Sequence, residues 1–210
     1  MITCVIRVMS PNEQDDDLLD ASERMRAARF RRDADRNRFA TGRAMVKTLV
    51  AELASVEPNE VSVVSHCRHC GSAEHGKPRA MHPRGGHSVS ISHSGSAVLV
   101  AATSGPECGA DIQEVDPCFD HVALSRHIES PAERGTIRDA AGFYQLWTSK
   151  EAILKCTGDG LMVSMSGLTL GVPEITLRNL DIAGPFVAAV AVATNLPLAV
   201  ELVDWRLPSF

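Results

Sequence analysis

The sequence predicts an α+β fold of two similar lobes in a pseudo-two-fold arrangement, each lobe a small antiparallel sheet packed with helix. Apolar residues recur at helical spacing over residues 36–54, which indicates a long amphipathic helix in the first half. A second helical segment, at 132–155, lies in the other half and precedes several strand-like runs. The first half also contains two strand-like runs, at 87–92 and 97–103, joined by a short turn as in a hairpin. Each half therefore provides helix and antiparallel strands.

Gly105-Pro106 interrupts the chain near its midpoint and marks the boundary between the two lobes. We therefore expect one lobe over residues 1–105 and the other over residues 106–210. The segment 66–86, which is rich in Cys, His and Gly, is predicted to be a loop. The remaining predicted elements are helices near 18–32 and 119–128 and strands near 2–9, 61–65, 110–114, 167–171, 174–180, 185–193 and 198–205.

The bulk composition is that of an ordinary globular protein and argues against several functional classes. The chain has 210 residues, 44% of them hydrophobic and 22% charged, and its formal net charge is −5. An acidic balance argues against a nucleic-acid partner, and no run approaches the roughly 20 apolar residues of a membrane helix. The N-terminal segment MITCVIRVMSPNEQDDD turns acidic after a few apolar residues, unlike a signal peptide. We expect a cytoplasmic monomer whose six cysteines are reduced.

The segment from Trp147 to Lys155, WTSKEAILK, places an acid and a base on one helical face. Glu151 and Lys155 are one turn apart, and Trp147 lies one turn before Glu151. In an arbitrary helix such a pair is a surface ion pair worth about 0.2–0.5 kcal/mol. Here the pair follows a tryptophan, and Gly158-Asp159-Gly160 stops the helix abruptly, so a functional role is a competing interpretation.

A second acidic segment, Asp111-Ile112-Gln113-Glu114, follows the predicted lobe boundary. In a strand, the side chains of Asp111 and Gln113 point to the same face of the sheet. Their oxygens, together with the carboxylate of Glu151, would suit Mg²⁺, which binds few protein oxygens and completes its shell with water and phosphate. Taken alone, an Asp-x-Gln pair usually does no more than edge a strand.

Two turn segments offer groups that bind phosphate. His93 lies between Ser92 and Ser94 at the predicted hairpin turn, where hydroxyls, backbone N–H groups and an imidazole can hold an anion. Gly76-Lys77-Pro78 places a lysine in another turn. The alternative is a pair of ordinary turns, one of them with a solvent-exposed histidine.

The order and spacing of these motifs resemble the 4′-phosphopantetheinyl transferases of the surfactin-synthetase-activating type. The resemblance starts at Arg29-Phe30 and at RFATGR, residues 38–43, and runs through Gly160-Leu161. Between them come Gly-Lys-Pro, Ser-His-Ser, Gly-x-Asp-Ile and Trp-x-x-Lys-Glu-Ala-x-x-Lys, in that order. The resemblance implies transfer of the 4′-phosphopantetheine group of coenzyme A to a serine of acyl or peptidyl carrier protein domains, in secondary-metabolite biosynthesis. It also implies Mg²⁺ dependence and release of 3′,5′-ADP.

The resemblance assigns the metal ligands and the catalytic residues. Asp111, Gln113 and Glu151 match the metal ligands, although many members of the family have glutamate where this chain has Gln113. The lost negative charge implies looser metal binding. Glu151 and Lys155 match the catalytic pair, with Glu151 or a metal-bound water as the base and Lys155 on a pyrophosphate oxygen.

Coenzyme A is expected to bind between the lobes, with its nucleotide toward residues 1–105 and the metal and catalytic helix in residues 106–210. Glu133 matches a recurrent glutamate of the family, although the acidic first turn of a helix is another interpretation of it. The residues expected to hold coenzyme A are Lys77, Ser92, His93, Arg38, Arg26 and Lys155.

A competing signal is Cys67-x-x-Cys70, which with His75 offers three zinc ligands and with His82 or another histidine a fourth. It leaves open a different class of function, a zinc-stabilised protein-interaction module without catalytic activity. If zinc binds in a transferase, we expect it to brace the coenzyme-A loop rather than to take part in catalysis. A closer alternative is the short holo-synthase type, a trimer of chains about half as long. One chain of 210 residues, however, is long enough to supply both sides of the site.

Overall fold

The computed structural model describes residues 1–11, 13–73 and 75–206. Within them, a six-stranded sheet has the order β2-β3-β4-β5-β1-β9 and a three-stranded sheet the order β6-β8-β7. The strands are β1 (Ile2–Met9), β2 (Ser62–His66), β3 (Lys77–His82), β4 (Gly85–Ser94), β5 (Ala97–Thr103), β6 (Cys108–Glu114), β7 (Ile175–Leu180), β8 (Phe186–Ala193) and β9 (Leu198–Arg206). The helices are α1 (Ala21–Ala27), α2 (Asp33–Ala54), α3 (His121–Ile128) and α4 (Ala140–Thr157). The predicted α+β class is confirmed.

The two sheets pack face to face, with one long helix on each outer face, so the molecule has four layers. Alternate residues of β5 lie on opposite faces of the first sheet: Val98 and Val100 pack with α2, whereas Leu99 packs with the second sheet. Strand β8 does the same for the second sheet, because Val190 packs toward the first sheet and Ala189 toward α4. Burial of both faces explains why β5 is an uninterrupted apolar run.

Serine hydroxyls of β4 join the first sheet to the edge of β6. From Ser88 onward every second residue of β4 is a serine, and every second backbone N–H of β6 donates to one of them, with N···O distances between 2.9 and 3.3 Å. The pairs are Cys108 with Ser88, Ala110 with Ser90, Ile112 with Ser92 and Glu114 with Ser94. We call these four pairs the serine ladder. On its other edge β6 pairs with β8, so the ladder satisfies the N–H groups on the edge that has no strand partner.

A buried ion pair joins the first two helices. The ammonium of Lys47 on α2 donates to Oε2 of Glu23 on α1 at 2.7 Å and to the carbonyl oxygen of Leu18 at 2.8 Å. Both charged side chains are buried because α1 covers this side of α2. Each charge has a partner of opposite sign, which burial requires. Among the described residues, no helix combines the length and the apolar character needed to cross a membrane.

The predicted loop at 66–86 is wrong in part, because it contains strand β3. Its sequence, KPRAMH, is polar and includes a proline, so it lacks the apolar alternation of a strand. It nevertheless pairs with β2 on one side and β4 on the other. Strand β4 also runs further than predicted, so that His93 and Ser94 lie in the strand, and the left-handed residue of the turn is Gly95, with φ of 52°.

In the second half, the strand predicted at 167–171 is wrong. Leu168 and Leu170 alternate in sequence because both pack against buried residues of α4, not because they pair with another strand. The helix predicted over 132–155 begins only at Ala140, because a turn at Ser130–Glu133 precedes it. In the first half, the helix predicted over 18–32 is limited to α1, at Ala21–Ala27.

Strand β9 lies in the first sheet although it comes from the end of the chain. It pairs in parallel with β1, from Ile2 opposite Leu198 to Met9 opposite Arg206. The strands of residues 106–210 are therefore divided between the two sheets, and the two sheets differ in size. The division into lobes at 1–105 and 106–210 stays a prediction.

Replacing Ser90 with alanine should lower the free energy of unfolding by about 1–3 kcal/mol, because the buried N–H of Ala110 loses its acceptor. Ser164→Ala, at an exposed hydroxyl outside the serine ladder, is the matched control and should change it by less than about 0.5 kcal/mol. Urea denaturation followed by circular dichroism measures both. Equal stability of Ser90→Ala and the unaltered protein would contradict a structural role for the ladder.

Candidate active site

Helix α4 carries Glu151 and Lys155 and has well-defined ends. It begins after Asp139, whose carboxylate accepts a hydrogen bond from the backbone N–H of Gly142 at 2.7 Å. It ends at Gly158, which has a φ of 79° and whose N–H donates to the carbonyl of Leu154. Glycine is the residue that adopts this left-handed conformation without steric cost, which explains the abrupt stop.

The carboxylate of Asp111, on β6, lies at the centre of the site. Its Oδ1 accepts hydrogen bonds from Nζ of Lys155 and from Oγ of Ser92, each at 2.6 Å, and its Oδ2 accepts one from Nε2 of Gln113 at 3.0 Å. Asp111 is only 2% exposed. A buried carboxylate needs such donors to remain charged. The structure therefore brings together four of the residues singled out from the sequence.

Glu151 lies close enough to Asp111 and Lys155 for both charges to shift the pKa of its carboxyl group. Burial raises the pKa of the Glu151 carboxyl, the positive charge of Lys155 opposes that rise, and the negative charge of Asp111 adds to it. Two carboxyl groups that repel each other in a partly buried site favour either a shared proton or a bound cation.

The donor set of this site suits Mg²⁺. Asp111 and Glu151 supply two carboxylates whose mutual repulsion a divalent cation would relieve. In the structure, Gln113 turns its amide nitrogen toward Asp111, and the same amide also has an oxygen that can coordinate a metal. The assignment of Asp111, Gln113 and Glu151 as ligands stays a prediction, and the chemistry of the three side chains is compatible with it.

A second group of basic side chains lies at the turn between β4 and β5. Nε of Arg38 donates to the carbonyl of Gly95 at 3.0 Å, and its Nη1 donates to Asp35 at 2.8 Å. Partial desolvation lowers the pKa of His93, and the positive charges of Arg38 and Lys155 lower it further. An imidazole, a guanidinium and an ammonium therefore lie near one another, and such groups can donate hydrogen bonds to an anion.

Lys77 has a different environment from the one expected of a nucleotide ligand. Its ammonium donates to the carbonyl oxygens of Cys108, Lys155 and Cys156 at 2.7–2.8 Å, and Glu107 lies 3.3 Å away. Two of these carbonyls belong to the last turn of α4, where a cation also interacts favourably with the helix dipole. The contacts in the structure are those of a cap on α4, and binding of coenzyme A by Lys77 stays a prediction.

Arg26 lies in a different cleft from Lys155. Its guanidinium lies over the ring of Phe39, 5.3 Å from the ring centre, and Arg43 approaches the same ring at the same distance. This cleft has a volume of about 670 Å³ and also contains Arg29. Nothing in its lining is shared with the cleft of Lys155, so the structure does not bring Arg26 together with the other predicted ligands.

The cleft beside Lys155 has a volume of about 570 Å³, within the range of small-molecule sites. One wall is formed by the segment between β2 and β3, with the sulfurs of Cys67 and Cys70, and the opposite wall by the loop after α4, with Asp159. Strand β4 contributes Ser90 to the floor. The cleft therefore connects helix α4 with the first sheet.

The sequence did not reveal the buried ion pair between Glu133 and Lys150. The ammonium of Lys150 is completely buried and donates to Glu133 Oε2 at 2.5 Å and to the carbonyls of Ile128 and Met165 at 2.5 and 2.9 Å. Glu133 also accepts from the backbone of Leu170 at 2.9 Å. It lies in a turn, so the interpretation as the acidic first turn of a helix is wrong. The sequence did contain one signal of a separate role for Lys150. It lies five residues before Lys155 and therefore points to a different face of the helix.

The side chains of Cys67, Cys70 and His75 form a compact cluster in the segment between β2 and β3. Hydrogen bonds from the backbone of Cys70, and then of His69, lower the pKa of the Cys67 thiol. His82, considered above as a further ligand, lies elsewhere: its Nε2 is 3.1 Å from Nδ1 of His87. That suggestion is therefore wrong, because strand β3 places His82 against β4.

Comparison with protein-family models matches residues 107–198 to the "4'-phosphopantetheinyl transferase superfamily". Residues 107–198 are therefore similar to members of this superfamily. They include Asp111, Gln113, Glu151 and Lys155, that is, the metal-site and catalytic residues predicted above.

Three curated relatives are named as phosphopantetheinyl transferases. That of Thraustochytrium is 32% identical over 78% of this chain and 62% of its own length, and HetI of Nostoc is 30% identical over 72% and 65%. Psf-1 of Bacillus pumilus is 28% identical over 87% of this chain and 81% of its own length. The chain thus spans slightly less than two thirds of the first two relatives.

Replacing Glu133 with glutamine should lower the free energy of unfolding at neutral pH by about 3–5 kcal/mol, because the buried ammonium of Lys150 loses its counter-charge. Burial alone would raise the pKa of Glu133, but hydrogen bonds from Lys150, Leu170 and Ser130 lower it from 4.5 to about 2. Since the folded pKa is the lower one, the stabilisation is complete above 4.5 and is lost as the pH falls toward 2.

Urea denaturation at a series of pH values measures this effect as the difference between the unaltered protein and Glu133→Gln. The difference should shrink between pH 4.5 and 2. Asp181→Asn, which removes an exposed carboxylate, is the control and should leave the free energy of unfolding nearly unchanged. A difference that does not depend on pH in this window would contradict the ion pair.

Proposed function

We propose that this chain transfers the 4′-phosphopantetheine group of coenzyme A to a serine of acyl or peptidyl carrier protein domains. The serine oxygen attacks the β-phosphorus of the pyrophosphate, the bond from that phosphorus to the bridging oxygen breaks, and 3′,5′-ADP leaves. The observation that carries the proposal is the hydrogen-bonded cluster of Asp111 with Lys155, beside Glu151, within the segment that matches the transferase superfamily.

The carboxylates of Asp111 and Glu151, with the amide oxygen of Gln113, would hold Mg²⁺. When bound, the ion supplies positive charge that offsets the negative charge on the pyrophosphate oxygens. Gln113 brings one negative charge fewer than a glutamate would, so we propose weaker metal binding than at a site of three carboxylates.

Lys155 is in position to stabilise the leaving group. Its ammonium donates one hydrogen bond to Asp111, its single partner among the described residues, and its side chain is 28% exposed toward the cleft. The two remaining N–H groups can donate to pyrophosphate oxygens, where negative charge develops as the bond breaks. Asp111 fixes the ammonium in place before the substrate arrives.

Glu151 is proposed to accept the proton of the carrier serine, directly or through a water molecule. Burial and the nearby charge of Asp111 raise the pKa of Glu151, which makes it a stronger base than an exposed carboxylate. Its place on α4, one turn from Lys155, keeps the acceptor of the proton and the stabiliser of the leaving group on one rigid element.

His93 and Arg38 are proposed to bind the phosphates of coenzyme A. His93 lies near the end of β4, and Arg38 reaches from α2 to the turn after that strand; Lys155 is nearby, and both side chains can donate hydrogen bonds. Ser92 supports them indirectly, since its hydroxyl donates to Asp111. A direct role of Lys77 or Arg26 in binding rests on the resemblance alone.

We further propose the surfactin-synthetase-activating type, working as a cytoplasmic monomer on carriers of secondary-metabolite biosynthesis. Motifs in both halves of the chain meet in one cleft, so a single chain provides both of its walls. The six cysteines form no disulfide, as in a reducing compartment. The relative Psf-1, which is named as a 4'-phosphopantetheinyl transferase, supports the transferase activity, since it aligns over 87% of this chain.

The test is intact-mass spectrometry of a purified apo carrier protein incubated with this protein, coenzyme A and Mg²⁺, with EDTA in a parallel sample. A metal-dependent gain of one phosphopantetheine on the carrier supports the proposal. No gain on acyl, aryl or peptidyl carriers contradicts it and favours a zinc-stabilised interaction module without activity.

Glu151→Gln and Lys155→Ala should each slow transfer by about 10²–10⁴-fold, because one removes the base and the other the donor to the leaving group. Arg178→Ala, on the exposed face of β7, is the control and should keep the full rate. The rate of carrier modification is measured for each variant after its fold is checked by circular dichroism. Full activity of either site variant would contradict the assignment of that residue.

Gln113→Glu should be tolerated with Mg²⁺ and should tighten metal binding. Without metal, a glutamate beside Asp111 places two like charges together and removes a hydrogen bond, so the melting temperature should fall. Mg²⁺ should restore it, and the Mg²⁺ concentration needed for half-maximal transfer should decrease. Thermal denaturation with and without Mg²⁺ and a metal titration measure the two effects. A large loss of activity at saturating Mg²⁺ would show that Gln113 is not beside the metal.

A further inference from the structure

Three metal-ligating side chains converge in the segment between β2 and β3, a part of the chain that the proposed reaction leaves without a chemical role. The sulfurs of Cys67 and Cys70 and a ring nitrogen of His75 all lie within 4.8 Å of one another. Sγ of Cys70 is 3.3 Å from Nε2 of His75. A tetrahedral Zn²⁺ ion, with Zn–S of about 2.3 Å and Zn–N of about 2.0 Å, places its ligand atoms about 3.5–3.8 Å apart. The three side chains are therefore already close to the spacing that the ion requires.

The backbone of the segment fixes this arrangement. The N–H of Gly71 donates to the carbonyl of Cys67, and the N–H of Cys67 donates to the carbonyl of Ser72, both at 2.9 Å. Gly76 has a φ of 104°, and a Cβ at this position would lie 2.3 Å from the carbonyl oxygen of His66. A side chain at Gly76 would therefore force the turn open, next to His75. The turn that gathers the ligands is built by backbone geometry.

We infer that Cys67, Cys70 and His75 bind one Zn²⁺ ion, with water in the fourth position. Two thiolates and an imidazole select a soft or borderline ion, and they do not suit Mg²⁺ or Ca²⁺. The zinc site is distinct from the Asp111 site in its ligands and in the kind of metal it binds.

The site ties the segment to the end of the catalytic helix. Arg68, between the two cysteines, donates from its guanidinium to the carbonyl of Thr157, and Lys77, just after His75, donates to the carbonyls of Lys155 and Cys156. A bound zinc ion would thus brace the segment that presents these two cations to the C-terminal end of α4. Cys67, Cys70 and His75 also line the cleft beside Lys155, so the metal braces one wall of it.

The first experiment concerns the metal alone and needs no substrate. The protein is purified with reductant and without added metal, and its zinc content is measured by inductively coupled plasma mass spectrometry. We expect one zinc per chain. Replacement by Co²⁺ should give a thiolate-to-cobalt charge-transfer band and the visible spectrum of a tetrahedral site.

Cys70→Ser and His75→Ala should each weaken Zn²⁺ binding by about 100-fold or more, because each removes a ligand. Cys118→Ser, which alters an exposed cysteine outside the cluster, is the matched control and should retain one zinc and the full cobalt band. If a ligand variant fails to fold, the cobalt spectrum of the unaltered protein decides whether the metal site exists.

Three results would overturn the zinc site. The first is the absence of a thiolate-to-cobalt band when Co²⁺ is added in equal amount to the reduced, metal-free protein. The second is full zinc retention by the double variant Cys67→Ser/Cys70→Ser. The third is a Cys67–Cys70 disulfide in protein purified with reductant, because a disulfide cannot supply two thiolate ligands.

The second experiment tests the bracing of the cleft, which rests on the proposed function. Isothermal titration of coenzyme A into zinc-loaded and zinc-depleted protein should show several-fold weaker binding without zinc. Equal affinity in the two states would overturn the bracing. Failure of coenzyme A to bind in either state would instead contradict the proposed function, and the metal measurements would still decide the zinc site.

Discussion

The serine ladder between β4 and β6 is the contact on which the arrangement of the two sheets depends. Strand β6 has a partner strand on one edge, and its other edge faces the first sheet from within the core. Buried N–H groups there would each cost about 1–3 kcal/mol if they had no acceptor. Serines at every second position of β4 supply the acceptors, because both strands repeat with the same period. Two sheets that share no strand ladder at this edge are thereby held in register.

The ladder also determines where the charges of the site lie. Ser92 accepts from the backbone of Ile112 and donates its own proton to the carboxylate of Asp111, one residue earlier. The same hydroxyl therefore fixes the strand and the acid that it carries. Asp111 in turn holds the ammonium of Lys155 on α4. A shift of β6 by one residue would turn Asp111 to the opposite face and dismantle the whole set.

Helix α4 is held in place by the ion pair and hydrogen bonds of lysine side chains as well as by the packing of its apolar face. Lys150 fastens its middle to Glu133 and to two carbonyls, and Lys77 caps its last turn. Each buried charge is expensive unless its partners are in place, so the helix has little freedom to rotate or slide. Glu151 and Lys155 therefore occupy defined positions before any substrate binds, which is the condition for electrostatic stabilisation of a transition state.

The elements that could be predicted from the sequence are those with a strong internal period or a strong stop signal. The apolar stripe of α2, the β4–β5 hairpin and the end of α4 at Gly158 are of this kind. Strand β3 could not be found, because its neighbours in the sheet, and not its own polar residues, make it a strand. The contacts of Lys77 and the pairing of Lys150 with Glu133 could not be predicted either, since both join segments that are far apart in the chain. Spacing along a helix identifies a face, but it does not say which distant carbonyl or carboxylate that face will meet.

Lysine is scarce in this chain, and the structure shows how it is used. Of 21 basic Lys and Arg side chains, only four are lysines, and all four are mostly buried and donate to carbonyl or carboxylate oxygens inside the protein. The outer surface therefore carries its positive side-chain charge as guanidinium. An acylating reagent that attacks amines would find no freely exposed lysine, and Lys155, the most accessible of the four, would be the one that it reached first. Among the lysine side chains, such a reagent would therefore label the cleft first.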